Sequence, residues 1–138
     1  MRTLSTLIRM HRFQLDEKRR ALTDLENLRS DLIGQRDKME AELKAEQEIA
    51  KKVEVGAFAY AGFARGVIAR REKLAGSLAE IDARIEDARQ DVAAAFQDLK
   101  RHEIALAQRK RRQREEADRR EQIALDEVSL DMHRRRTA

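Results

Sequence analysis

Hydrophobic residues in the first part of the chain recur at alternating steps of four and three. Ten of the fifteen positions in this series are apolar, over seven heptads, which is the pattern of a coiled-coil seam. The pattern predicts one helix over about residues 4–55. Its seam positions are Leu4, Ile8, His11, Leu15, Lys18, Leu22, Leu25, Arg29, Leu32, Arg36, Met39, Leu43, Glu46, Ala50 and Val53.

A second series with the same period predicts a longer helix over about residues 57–130, followed by a frayed tail at 131–138. Beyond about Arg109 this helix has no partner left in the first one, and its sequence becomes highly charged. The seam positions of the second helix are Tyr60, Ala64, Val67, Arg71, Leu74, Leu78, Ile81, Ile85, Ala88, Val92, Ala95, Leu99, His102 and Leu106.

The stretch between the two series, Glu54–Gly66, holds three of the five glycines, the only tyrosine and two of the four phenylalanines. Because the chain has no proline, glycine is the strongest helix stop available, and Gly56 suits the left-handed position after a helix end. The sequence therefore predicts an all-α protein with a single domain, 1–138. We expect a long antiparallel two-helix coiled-coil hairpin that turns near residue 56, with the second helix longer than the first.

Folding the chain at Gly56 fixes a register between the two seams. Leucines and other apolar residues then face each other, and His11 faces His102. The basic seam residues Lys18, Arg29 and Arg36 meet apolar partners, which their long stems can cover while the charged heads reach water. A register one heptad longer, with residues 56–66 as an open loop, is the alternative. The facing pairs of the tighter register include Ile8 with Leu106, Leu22 with Val92, Arg29 with Ile85, and Met39 with Leu74.

Composition supports a coiled coil and argues against an enzyme. Hydrophobic and charged residues make up 41% each, and aromatic residues only 4%. A two-helix hairpin buries a seam and offers no cleft for a small-molecule substrate. The chain has no cysteine, and its three histidines lack metal-ligand spacing, so we expect no catalytic residues, metal or cofactor. The first residues do not form a signal peptide and no window approaches the ~20 apolar residues of a membrane span, which favours a cytoplasmic location.

The formal net charge is +4, and the excess of positive charge is local. Residues 100–114 carry seven basic residues against one acid, which would permit binding to nucleic acid. Acidic residues are interspersed elsewhere, so a solvated helix face is the favoured interpretation. A nucleic-acid-binding protein or a generic coiled-coil scaffold remains the alternative function.

Three features occur in a fixed order along the chain. The first helix carries Leu7-Ile-Arg-Met-His-Arg-Phe-Gln-Leu-Asp-Glu-Lys-Arg-Arg-Ala-Leu-Thr-Asp-Leu-Glu26. The second carries Tyr60-x-x-Phe63 ahead of an apolar stripe, then the basic stretch, and Leu125-Asp-Glu127 near its end. In order, spacing and total length the chain resembles the FliJ family of flagellar type III export proteins.

The resemblance implies a non-enzymatic, stalk-like component of flagellum biogenesis, peripherally associated with the inner-membrane export apparatus. Its partners would be the hexameric flagellar export ATPase, the export-gate protein FlhA and export chaperones, with no small-molecule substrate and no nucleic acid. Carried over by position, the gate-binding residues would be Tyr60, Phe63, Val67, Arg70 and Leu74. Phe63 lies off the seam, which makes it the better candidate for an exposed contact than Tyr60.

The unpartnered end of the second helix is expected to enter the ATPase ring, together with the first residues of the chain. The expected contact residues are Arg109, Lys110, Arg111, Arg112, Arg114, Arg119, Arg120, Ile123, Asp126 and Glu127.

Overall fold

The computed structural model describes residues 2–52 and 56–137, which form two helices and no strand. The first, α1, spans Arg2–Ala50, and the second, α2, spans Gly56–Thr137. The predicted all-α fold with a longer second helix is confirmed. The chain divides into two compact units, which we call the bend unit, Gln14–Ala95, and the terminal unit, Met1–Phe13 with Phe96–Ala138.

In the bend unit, α1 and α2 pack antiparallel through the predicted seam. The buried core consists of seam residues of both helices. Met39 and Leu74 line one groove between the helices, and Arg29 and Ile85 line another, as the tighter register requires. A register one heptad longer would separate these partners by about 10 Å along the helix axis. The core residues of this unit are Leu15, Val67, Leu74, Ile81, Ile85 and Ala88.

Two ion pairs join the helices of the bend unit beside this core. Arg29 Nε lies 2.6 Å from Asp82 Oδ1, and Arg71 Nε lies 2.6 Å from Glu40 Oε1. The charged groups of basic seam residues were expected to reach water. At Arg29 the guanidinium instead pairs with a carboxylate on the facing helix. Such partly exposed pairs contribute about 0.2–1 kcal/mol each, so apolar burial dominates the packing.

The terminal unit repeats the antiparallel packing over a shorter length. Ile8 and Leu99 are buried, and Ile8 shares a groove with Leu106. The rings of His11 and His102 are stacked, with centroids 4.5 Å apart and planes inclined by 22°. The predicted register is confirmed here as well.

The helix bounds near the bend differ from the predicted ones. The first helix ends at Ala50 instead of about Val55, and residues 51–52 form a turn in which Lys52 N–H donates to Ile49 O at 3.1 Å. Such a bond to the third residue back tightens a last helical turn. Gly56 is the first residue of α2, so it does not follow directly on the end of α1. The predicted seam residue Val53 lies outside the described residues.

At its other end α2 continues to Thr137, through most of the segment for which the sequence predicted a frayed tail. The Thr137 hydroxyl donates to His133 O at 3.0 Å, and Arg135 pairs with Asp131 at 3.4 Å. Three arginines, 134–136, occupy the last turn, where the helix dipole favours positive charge. Neither described helix contains a stretch apolar and long enough to cross a membrane.

Candidate partner-binding surfaces

The last thirty-one described residues of α2, 107–137, are all exposed, and we call this segment the α2 extension. Ion pairs between its own side chains stabilise this helix. Arg111 pairs with Glu115 at 3.2 Å, and Arg120 with Glu116 at 2.7 Å, each four residues apart on one helix face. Pairs of this kind stabilise a helix by about 0.2–0.5 kcal/mol each, which leaves an isolated helix of this length marginally stable. The segment therefore gains most from a partner that covers it.

Every residue expected from the sequence to contact the ATPase ring lies on the α2 extension and is exposed. Arg111 and Arg120 are engaged in the pairs above, and Asp126 accepts a hydrogen bond from Gln122 at 3.2 Å. The other cations have no ion pair within the part of the chain that the structure describes, and their charge is available to a partner. They are Arg109, Lys110, Arg112, Arg114 and Arg119.

Large apolar side chains also lie exposed near the end of the α2 extension. Ile123 and Leu130, seven residues apart, continue the seam period, whereas Leu125, Val128 and Met132 lie together on another face. Only Ile123 belongs to the contact residues expected from the sequence. The other four were detectable from their spacing, because three or four residues separate neighbours on one helix face. A helix with apolar groups on two faces suits a partner that contacts it from more than one side.

The five residues expected to bind the export gate lie in the bend unit and differ strongly in exposure. Val67 is 1% exposed and Leu74 8%, and both belong to the core. Arg70 is exposed, and its Nε donates to Gly66 O at 3.4 Å. Tyr60 and Phe63 are half-buried. Of the five residues, Arg70 and the accessible parts of Tyr60 and Phe63 can therefore meet a partner, whereas Val67 and Leu74 support them from the core.

Phe63 is less accessible than its place off the seam suggested, because it flanks the seam and packs at its edge. Among the described residues, the most exposed large apolar side chain is that of Phe58, at 87%. It stands two residues before Tyr60, and a shift of two residues on a helix moves a side chain away from the buried stripe. A helical projection of the sequence is therefore enough to show that Phe58 lies away from the buried stripe. Apart from its chain neighbours and the nearby helix backbone, no heavy atom lies within 4 Å of the place that a Cβ would occupy at Gly62, one turn after Phe58.

The described residues contain no cluster of three or more side chains able to hold a metal ion. The stacked rings of His11 and His102 do not form a ligand pair, since ring nitrogens point within the ring plane. Two nearly parallel, stacked rings cannot aim their nitrogens at one ion. The grooves between the helices are open and line the seam.

A comparison with protein-family models gives one match that covers the chain: the flagellar FliJ protein family, over residues 1–138. Neither a curated protein nor a solved structure matches the chain. The match spans every residue that carries the seams, the bend and the α2 extension. The chain belongs to the flagellar FliJ family.

Proposed function

We propose that this protein is a stalk-like component that couples the flagellar export ATPase ring to the export gate, and assists the delivery of chaperones and substrates. Membership of the FliJ family makes it a component of the flagellar export apparatus. The observation that carries the proposal is the α2 extension, a continuous helix exposed on every side.

We infer contact with the ATPase ring from the marginal stability of the α2 extension. An unpaired helix is marginally stable and gains from enclosure, which a ring-shaped hexamer provides. A helix enclosed by a ring must contact several subunits without binding tightly to any one of them. Exposed ion pairs suit that demand, because each contributes only about 0.2–1 kcal/mol and exchanges easily. Arg109, Lys110 and Arg112 are available for such exchange, and Ile123 and Leu130 supply apolar contact.

The gate protein FlhA is the proposed partner of the surface formed by Tyr60, Phe63 and Arg70. Exposed aromatic groups anchor many protein interfaces, and Phe58 adds one on the same helix. Val67 and Leu74 support this surface from the core. Binding to FlhA would place the protein at the inner membrane through a partner, and export chaperones are the third proposed class of partner.

Removal of the α2 extension tests the proposal. A chain ending at Gln108 keeps the paired parts of both helices, so it should remain helical by circular dichroism. It should no longer stimulate the ATPase activity of the ring. A truncated chain that folds and stimulates the ring as well as the full chain would show that the extension has no role in coupling.

Nucleic acid is the second candidate partner, because four cations in residues 109–114 have no ion pair within the described part of the chain. Binding through phosphates should weaken steeply with salt, by roughly three to five powers of ten between 50 and 200 mM for six to ten contacts. Electrophoretic mobility shifts with duplex DNA at both salt concentrations measure this. We expect no binding at the higher one.

A further inference from the structure

The terminal unit contains a groove with an apolar floor beside the end of its seam. Ile8 is buried at the base of this groove, Leu106 is half-buried, and Ala107 forms its wall on α2. Past the groove, a shallow depression continues along α2 from Lys110 to Ala117. The two share Lys110 and form one track, which we call the cationic groove. It follows α2 over residues 103–117, or about 21 Å of helix.

The single carboxylate in the cationic groove is already neutralised by the protein itself. Glu103 Oε1 lies 3.5 Å from Arg12 Nη2, and its Oε2 lies 3.3 Å from Lys100 Nζ. Glu103 therefore leaves no net negative charge in the groove for an incoming cation.

Three further cations line the cationic groove without a carboxylate partner in the described part of the chain. Arg9 lies on α1, and Lys110 and Arg114 lie four residues apart on one face of α2. All three are exposed. The groove thus combines a strip of apolar floor with a positively charged rim. A complementary partner would present an apolar face flanked by negative charges.

We propose that the cationic groove binds an acidic amphipathic helix of the export ATPase, a proposal that rests on the function proposed above. A helix is the element that lays an apolar face into a groove between or beside helices. Carboxylates along the flanks of that face would meet Arg9, Lys110 and Arg114. A nucleic acid would use the cations but not the apolar floor.

Charge reversal at one groove residue of α1 and one of α2 tests the proposal in the full-length chain. The variant Arg9→Glu/Arg114→Glu should bind the purified ATPase hexamer at least tenfold more weakly than the parent, and Arg9→Gln/Arg114→Gln should lose less. The control is Arg20→Glu, which reverses an exposed arginine of α1 outside the groove and should bind within twofold of the parent. Circular dichroism checks that all variants are equally helical. Equal binding by parent and double-reversal variant overturns the proposal.

A photo-crosslinker placed in the groove identifies what occupies it. The substitution Ala107→p-benzoylphenylalanine puts the reactive group beside the apolar floor. After irradiation with the ATPase, mass spectrometry should find crosslinks to a helical segment of net negative charge. Crosslinks to a neutral or basic segment, or none while the complex still forms, would overturn the assignment.

The outcomes separate this proposal from the proposed function. If the parent binds the ATPase and the double-reversal variant binds equally well, the groove proposal fails and the coupling function stands. If the parent does not bind the ATPase, both fail. A 20-base-pair DNA duplex and phosphatidylglycerol vesicles test the other occupants. Loss of their binding in the double-reversal variant, with ATPase binding unchanged, assigns the groove to a polyanion and rejects the acidic helix.

Discussion

At the scale of single residues, an arginine in the seam can pair with a carboxylate on the facing helix. Arg71 occupies a seam position between Val67 and Leu74, and its Nε lies 2.6 Å from Glu40 Oε1. The buried N–H does not point at that oxygen closely enough to form a hydrogen bond, so the contact is mainly one between charges. Arg71 is therefore accommodated in the seam by the attraction of its charge to Glu40 and by the packing of its apolar stem. The neighbouring aliphatic residues contribute most of the stability of the seam.

Two isoleucines of α2 test how much stability lies in the seam. Ile81 is 7% exposed and Ile123 is 52% exposed. Ile81→Ala should cost about 2–4 kcal/mol, because it removes buried methyl groups and leaves a cavity. Ile123→Ala should change stability by less than about 0.5 kcal/mol. Urea unfolding followed by circular dichroism measures both, and equal losses would contradict the assignment of Ile123 to an unpaired surface.

Phe58 and Phe63 separate a binding role from a packing role. Phe58→Ala should leave the free energy of unfolding unchanged, because the ring is almost fully exposed. Phe63→Ala should cost roughly 1–2 kcal/mol, since the ring is half-buried. Each variant should bind FlhA at least tenfold more weakly, which titration calorimetry measures. Unchanged affinity in Phe58→Ala would remove that residue from the proposed gate surface.

At the scale of elements, the two parts of α2 are stabilised by different interactions. Up to Leu106 its stability comes from an apolar stripe buried against α1 within each unit. Beyond that residue it depends on local ion pairs and hydrogen bonds along its own surface, such as the pair of Arg120 with Glu116. Local pairs of this kind weaken with salt, whereas apolar packing does not. The α2 extension is therefore the part of the helix most easily reshaped by a partner.

At the scale of the whole molecule, the fold was predictable because one period decides it. Each predicted seam residue of α2, from Val67 to Leu106, is buried or half-buried, since a heptad repeat leaves one face to bury. The end of α1 at Ala50 was not predictable, because a coiled-coil period does not specify where the last turn stops. Among the residues expected to bind the gate, the burial of Val67 and Leu74 was predictable because both are seam positions, whereas the half-burial of Phe63 beside the seam was not. Phe58 was overlooked although its offset from Tyr60 pointed outward.

The α2 extension is the centre of the functional proposal, and its burial by the ATPase can be measured directly. The chain has no cysteine, so a single thiol reports on one place. Ser129→Cys puts it on the α2 extension, and Ser30→Cys puts a matched, exposed thiol on α1. Adding the ATPase hexamer should slow maleimide labelling at least tenfold at position 129 and less than twofold at position 30. Equal labelling rates at position 129 with and without the hexamer would contradict the proposal that the ring encloses this helix.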